Sequence, residues 1–486
     1  MAGTDVTTIA AESEPLSSRG RPADEVFALC IAYCRDQPAR VGEIGIVPAD
    51  GQPSLLGRGE GDGKERRLSF FQQRAGTILP RGPIASPGVS RSQVEIRCDG
   101  EQLKLENVGA ATLRVNGEKC RAGSAGPCDV IRIGQELVLL CTKRPARIAP
   151  PRDRAYPMGP FGEPDGCGIL GESAVIAQLR AAIAFAAAAD AHVLLLGESG
   201  TGKELTARAI HRLSARGQRA LVARNAVTMP EGLIDAELFG NIRDYPNPGM
   251  PERKGLVGEA DASTLFLDEI GELPSELQAH LLRVLDANGE YQRLGESKTR
   301  QSNFRLVAAT NRHPSSLKGD LLPRFTLRIE VPGVAARLED IPLIARHLVL
   351  LARAKAPTVV APFVYEFDGR AEVRFDPRLI EALLRGVYPG NVRDLDSALW
   401  RAMSKSSGEA IEAPEDEQAP REAQSGGAAV SAPRESDVEP TVETIRDAMA
   451  RCGGSVTRAA RDLGLSSRYA LYRLLRKHGI ATASED

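Results

Sequence analysis

From about Glu25 to Thr142 the chain alternates short apolar and polar runs, and from about Gly168 to Ser404 strand-like and helix-like patterns alternate. In the first region Val94-Glu95-Ile96, Leu103-Lys104-Leu105, Leu113-Arg114-Val115, Val130–Ile133 and Leu137–Leu140 are the strand candidates, separated by turn residues such as Asp99-Gly100, Asn116-Gly117 and Gly123. That spacing predicts a β-sandwich over residues 25–142. The alternation over 168–404 predicts an α/β domain followed by a helical lid from about residue 338. Residues 441–486 read as three helices. Val442, Ile445, Ala448, Met449 and Cys452 share one helical face that ends at Gly453-Gly454. Ala459, Ala460 and Leu463 line a short second helix stopped by Gly464, and Ser466 or Ser467 caps a third with Leu471, Leu474 and Leu475 inward. Residues 143–167, rich in Pro and Arg, and 405–440, acidic and Pro-rich, are expected as linkers, and 1–24 as disordered. No internal repeat is visible.

At 486 residues the chain exceeds one core, and about three domains is the expectation. The formal net charge of −2 excludes a generic polyanion binder, so any nucleic-acid surface must be local. Cys30, Cys34, Cys98, Cys120, Cys128, Cys141, Cys167 and Cys452 form no CxxC pair and no cluster with His, which argues against structural zinc. The polar, acidic N-terminus lacks signal-peptide character, and the longest apolar stretch, Ala181–Ala189, is too short to span a bilayer. A cytoplasmic location without membrane contact is expected.

Directly after the apolar run Val193–Leu196 stand Gly197, Glu198, Ser199, Gly200, Thr201, Gly202, Lys203 and Glu204. A buried strand, a Gly-rich turn and a helix opening at Lys203 make a phosphate-binding loop, in which main-chain N–H groups converge on phosphate oxygens and the lysine reaches the outer phosphates. Glu204 departs from the usual pattern, in which a hydroxyl residue follows the lysine and ligates magnesium. Downstream, Ser263-Thr264-Leu265-Phe266-Leu267 reads as a buried strand ending in Asp268 and Glu269. Asp268 is the candidate for magnesium, through water, and Glu269 for orienting and polarising the attacking water. Together the two motifs point to ATP hydrolysis with Mg2+ rather than to nucleotide binding alone.

These motifs resemble the AAA+ domain of bacterial enhancer-binding proteins, the activators of sigma-54 RNA polymerase. The phosphate loop ending in Lys203-Glu204 is itself that family's form, and Glu237-Leu238-Phe239-Gly240, Leu265–Glu272, Leu281–Leu285, Ala308–Arg312 and Pro389–Leu395 follow in order. The resemblance covers 168–404. It implies that Asn311 reads the terminal phosphate, that Asn225 holds the catalytic Glu269 in an inactive pose, and that Arg393 is a second sensor on the lid. It further implies that Arg324 is an arginine finger donated to the neighbouring subunit, and hence a hexameric ring. A second finger position holds Lys318, a point charge that cannot reproduce a planar bidentate fork. The resemblance makes sigma-54 polymerase a partner, yet the Gly-Ala-Phe-Thr-Gly-Ala loop expected after Gly240 is replaced by Asn241-Ile242-Arg243-Asp244-Tyr245-Pro246-Asn247-Pro248-Gly249-Met250-Pro251. Pro246, Pro248 and Pro251 fix φ and remove three donors, so a stiff loop with altered reach is expected. Loss of ordinary remodelling, or a divergent loop that still works, are both open at this point.

Residues 25–142 resemble a forkhead-associated domain, a phosphothreonine-binding sandwich, through Gly57-Arg58, Ser90-Arg91 and Val115-Asn116-Gly117. Arg58, Ser90 and Arg91 could surround a dianionic phosphate, making a phosphothreonine protein or a Ser/Thr kinase the implied partner. Gln93 stands where that family has a structural His, and 107–112 lacks the Asn expected in the peptide-binding loop. Residues 464–475 resemble the Fis-type helix-turn-helix reader, with double-stranded DNA as partner and dimeric pairing by analogy. Ser467 is a candidate on the reader helix, whose cap is Ser466 or Ser467; Arg468 and Tyr469 are candidates for base edges, and Tyr472, Arg473 and Arg476 share the exposed face, the two arginines for phosphates.

The expected fold class is multidomain: a forkhead-associated-like β-sandwich, an α/β P-loop AAA+ ATPase with a helical lid, and a small all-α helix-turn-helix domain. The expected function is an ATP-dependent transcriptional regulator that remodels transcription machinery, gated by phosphothreonine recognition. The rivals are a DNA-bound regulator that spends ATP only on its own oligomerisation, and an AAA+ remodeller outside transcription.

Overall fold

The computed structural model describes residues 25–414, apart from 61–62, 64, 151–155 and 287–288. These belong to one compact unit, Met1–Pro420; the second, Arg421–Asp486, holds the expected DNA reader with Ser467, Arg468, Tyr469, Tyr472, Arg473 and Arg476, and lies outside the described residues.

The N-terminal strands are β1 (Glu25–Cys34), β2 (Ile44–Ile46), β3 (Ser54–Leu56), β4 (Phe70–Arg74), β5 (Thr77–Gly82), β6 (Val94–Cys98), β7 (Leu103–Asn107), β8 (Leu113–Val115), β9 (Glu118–Cys120), β10 (Ala122–Ala125), β11 (Val130–Ile133) and β12 (Leu137–Pro145). They form an eight-stranded sheet in the order β5-β4-β2-β1-β12-β11-β8-β9 and a four-stranded sheet in the order β10-β7-β6-β3. Alternation decides what each strand covers, because successive side chains point to opposite faces. Phe27, Leu29 and Ile31 of β1, Ile131 and Ile133 of β11, and Leu137 and Leu139 of β12 join Phe70, Ile96 and Leu103 in the core between the sheets.

The intervening residues have a different partner. Cys30 and Ala32 of β1, Val130 of β11, and Val138 and Leu140 of β12 belong to a cluster with the ATPase lid, including Ile341, Leu343, Ile380 and Leu383. Both faces of these central strands are therefore buried. Charged pairs frame the seam: Arg132 Nε lies 2.7 Å from Glu381 Oε2 and Arg144 Nη1 lies 3.0 Å from Glu339 Oε2. Burial raises the Glu339 carboxyl above its ordinary range, against the opposing pull of Arg144. Such pairs add little net stability but are costly to break one-sidedly.

Residues 143–167, expected as a linker, are in part packed where they are described. β12 runs on to Pro145, Tyr156 is buried, and Asp165 holds Arg180 Nε at 2.8 Å while accepting from Cys167 N at 2.8 Å and Ile169 N at 3.0 Å. Arg144 of this segment pairs with Glu339 at 3.0 Å, so the described part is anchored rather than a free spacer.

The ATPase core begins with α1 (Ala174–Ala188), β13 (Val193–Leu196), α2 (Lys203–Leu213), β14 (Val222–Asn225), α3 (Ile234–Phe239), α4 (Leu256–Glu259), β15 (Thr264–Asp268) and α5 (Ser275–Asp286). A small hairpin, β16 (Glu290–Tyr291) and β17 (Arg300–Gln301), precedes β18 (Arg305–Thr310) and β19 (Leu327–Glu330). The parallel sheet runs β14-β15-β18-β13-β19. Its two faces are separately covered: Leu194, Leu265, Leu267 and Leu306 face one cluster, and Val193, Leu195, Phe266 and Val307 the other. The lid comprises α6 (Ile341–Lys355), α7 (Pro357–Val360), the hairpin β20 (Val364–Phe367) and β21 (Arg370–Val373), α8 (Pro377–Arg385) and α9 (Val392–Lys405). Among the described residues no helix is long and apolar enough to cross a membrane.

Leu140→Ala removes a buried sandwich side chain from the cluster shared with the lid and should cost about 2–5 kcal/mol. Scanning calorimetry should show sandwich and lid unfolding in one transition that this substitution moves as a whole. Two transitions, of which only one moves, would contradict a shared core.

Candidate active site

The phosphate loop joins β13, central in the parallel sheet, to α2. Gly197 and Gly200 adopt φ of 155° and 77°. A Cβ on Gly200 would lie 2.3 Å from the Gly390 carbonyl, so only glycine admits the lid's approach there. Lys203 opens α2, is buried, and donates from Nζ to the carbonyls of Gly197 at 2.8 Å and Glu198 at 3.0 Å. Its ammonium is 3.8 Å from Glu269 Oε1. Glu204 turns outward to Arg208 at 2.7 Å, and Thr201 Oγ1 donates to Glu198 O at 2.9 Å. Both residues line the cavity, with the Glu204 carboxylate committed to Arg208 and the Thr201 hydroxyl to the Glu198 carbonyl.

β15 delivers the acidic pair. Asp268 Oδ1 accepts the Glu269 N–H at 3.1 Å. Glu269 itself sits at φ 53°, a left-handed conformation unusual for a glutamate and characteristic of functional positions. Its Oε2 accepts the backbone N–H of Asn311 at 3.1 Å, so that contact with Asn311 is main-chain, and the Asn311 side chain is exposed at the end of β18. The expected hold of Asn225 on Glu269 is not what the structure has. Asn225 pairs in register with Asp268 at the ends of adjacent parallel strands, and its Nδ2 donates to Asp268 Oδ2 at 3.2 Å. Its Oδ1 accepts the Val227 N–H at 2.9 Å, capping the next turn.

The lid closes over the loop through α9. Arg393 Nη1 donates to Ser199 Oγ at 2.9 Å. Asn391, quoted above only as part of a motif, turns out to be the hub. It is buried at φ 54°, donates from Nδ2 to Glu198 Oε2 at 2.9 Å and Ser199 O at 3.0 Å, and accepts the Val334 N–H at 2.8 Å. Arg337 was also missed. It lines the cavity, is 7 % exposed, and places Nη2 3.4 Å from Thr201 O while Nε has no partner. Burial lowers its pKa. An Arg amid apolar and acidic neighbours at the start of a lid carries no distinctive sequence signal.

A cavity of about 490 Å³ lies between these elements. The loop, Lys203, Asp268, Glu269 and Arg393 supply its polar lining, and Ile169, Leu170, Leu205, Ile344 and Leu348 its apolar lining. That combination suits a triphosphate joined to a flat base. His347 also lines it, and burial pushes its pKa down, keeping it neutral at pH 7. Arg324 is elsewhere: half exposed and held by Asp286 at 2.6 Å. Lys318 is exposed, and its main chain is engaged: its N–H donates to Gln278 Oε1 at 2.9 Å and its carbonyl accepts from Leu321 N at 2.9 Å. Among the described residues no group of three or more His, Cys, Asp or Glu could hold a metal by itself.

The 241–251 loop is folded onto the α/β core. Asn241 is fully buried and its Nδ2 donates to the carbonyls of Ile242 at 2.9 Å, Tyr245 at 3.2 Å and Pro251 at 2.9 Å. Ile242 N bonds Leu294 O at 3.1 Å, and a Cβ on Gly295 would lie 2.7 Å from the Tyr245 ring. In the sandwich, Arg58, Ser90 and Arg91 occupy adjoining loops: Arg58 N bonds Ser90 O at 2.9 Å and Arg58 Nη1 bonds Pro87 O at 3.1 Å. Gln93, buried, ties these loops to the next by accepting Ser90 N–H at 3.1 Å and donating to Asn107 Oδ1 at 2.7 Å and Ala111 O at 2.8 Å. The bracing expected of a His is thus supplied by an amide.

The Sigma-54 interaction domain family matches residues 169–329. The transcriptional regulatory protein ZraR of Escherichia coli strain K12 is 36% identical over 322 residues, which span 64% of this chain and 68% of ZraR. This chain belongs to the family of sigma-54-dependent transcriptional regulators. The nitric oxide reductase transcription regulator NorR1 of Cupriavidus necator is 39% identical over 262 residues, 51% of this chain and 48% of NorR1. A crystal structure of NtrX from Brucella abortus in complex with ATP aligns at 26% identity and a TM-score of 0.44, covering 64% of this chain and 69% of NtrX. The core of this sigma-54-family regulator is an AAA+ ATPase.

Lys203→Ala should abolish nucleotide binding, read by fluorescent ATP titration. Glu269→Gln should keep that binding and lower turnover by at least about a hundredfold. Normal turnover by Glu269→Gln would displace Glu269 as the base.

Proposed function

We propose that the chain is a DNA-bound, ring-forming ATPase that regulates transcription, gated through its sandwich. The observation that carries this reading is the split of the hydrolytic set. Lys203, Asp268, Glu269 and Arg393 surround one cavity, whereas Arg324 stands exposed outside it. Lys203 and the loop amides bind the phosphates, and Glu269 accepts the proton of the water that attacks the terminal phosphorus. Asp268 would hold magnesium through water, since Glu204 points away; the ion would offset charge on the phosphates. Arg324 from the next protomer would complete the charge on the terminal phosphate, which makes a hexamer the active form.

The sandwich would recognise a phosphothreonine protein, a Ser/Thr kinase among the candidates, through Arg58, Ser90 and Arg91. Residues 441–486 would bind double-stranded DNA, as a dimeric reader, in the cytoplasm. One observation favours the rival in which ATP serves oligomerisation alone. The 241–251 loop is pinned by Asn241 and by contacts with Leu294 and Gly295, which restricts the reach a polymerase contact requires.

ATPase rate against protein concentration, with and without sigma-54 polymerase and target DNA, tests the reading. Specific activity should fall on dilution and vanish in Arg324→Ala; activity unchanged by either would refute catalysis in trans. ATP-dependent open-complex formation on sigma-54 polymerase would eliminate the oligomerisation-only rival. Calorimetry with a phosphothreonine peptide library should give binding that Arg58→Ala abolishes, and no binding at high micromolar concentration would remove the gate.

A further inference from the structure

A second cavity, of about 480 Å³, lies where the sandwich meets the lid. It is nearly as large as the nucleotide cavity, and the hydrolytic reading does not use it. The sandwich contributes Thr112, Arg114 and Arg132, and α8 contributes Arg378, Glu381 and Arg385. Four guanidinium groups thus face one carboxylate, in a chain whose overall charge is slightly negative.

That carboxylate is largely committed. Glu381 Oε2 holds Arg132 Nε at 2.7 Å, and Oε1 is buried without a hydrogen-bond partner. Arg132 Nη1 and Arg114 Nη1 are steered by main-chain carbonyls, Gly134 O at 3.0 Å and Gly117 O at 2.7 Å. Arg385 Nη1 is close over Gly117, where a Cβ would lie 3.3 Å from it. The side chains of Arg378 and Arg385 have no hydrogen bond or ion pair among the described residues. Like charges gathered at this density repel unless an anion sits among them, and the guanidinium fork matches phosphate oxygens. Among the described residues no aromatic ring lines the cavity, so none of them stacks on a base there.

We propose that this junction binds an oligophosphate, recognised by its charge rather than by a base. Because both bodies supply arginines, the bound chain bridges sandwich and lid and ties them more tightly together. Thr112 adds a link to the sandwich's loops: its carbonyl accepts from Gly134 N at 2.8 Å, and two residues earlier Ala110 N bonds Ser90 Oγ at 3.0 Å.

The test uses the full chain carrying Lys203→Ala, which removes the phosphate loop as a competitor, and sodium tripolyphosphate as probe. Calorimetry should show one site per chain, weakened at least about tenfold by Arg378→Ala with Arg385→Ala. Arg97→Ala, the loss of one exposed charge on β6 outside the cavity lining, should leave it unchanged. The probe should raise the melting temperature of the Lys203→Ala chain and not that of the chain with both further substitutions, which separates site loss from misfolding. ATP should bind this site no more tightly than tripolyphosphate; binding tenfold tighter would overturn recognition by charge alone. No binding, binding indifferent to Arg378 and Arg385, or equal loss with Arg97→Ala would overturn the proposal.

Discussion

The apolar seam between the outer face of the large sheet and the lid is the constraint on which the rest depends. Residues of β1, β11 and β12 that point away from the sandwich core are buried against the lid. A fully buried aliphatic side chain contributes about 1.5–3 kcal/mol, so several together hold the two bodies far more firmly than their ion pairs do. The lid is consequently a middle layer, with the sandwich on one side and the phosphate loop on the other.

On the nucleotide side the attachment is polar and narrow. Asn391 bonds Glu198, Ser199 and Val334, and Arg393 bonds Ser199. The left-handed backbone of Asn391 makes this geometry possible, and Gly200 leaves room for it. A broad apolar joint thus lies beside a small hydrogen-bonded one, so the lid is held more firmly to the sandwich than to the loop.

Much of this was legible in the chain. The phosphate loop and the Asp268-Glu269 strand end are local, and their chemistry demands particular residue types at fixed spacing. Among the sandwich strands β1–β5, β9 and β10 were not singled out, whereas β6, β7, β8, β11 and β12 were legible from their apolar runs. What covers their second face was not, since Leu140 and Leu383 are distant in sequence and nothing in either marks the other. Residues 143–167 read as a linker because Pro and Arg also compose linkers; only the partners of Asp165 reveal packing. The resemblance implied a hold of Asn225 on Glu269, whereas strand register places Asn225 beside Asp268 in this structure. Arg337 and Asn391 escaped because burial and a positive φ are properties of the fold.

Hydrogen exchange followed by mass spectrometry, with and without ADP, measures the mechanical connection most directly. If lid, loop and sandwich are coupled as described, nucleotide should slow exchange in 197–204, in α9 and also in β11 and β12. Protection confined to the phosphate loop and α9, with β11 and β12 unchanged, would contradict the account.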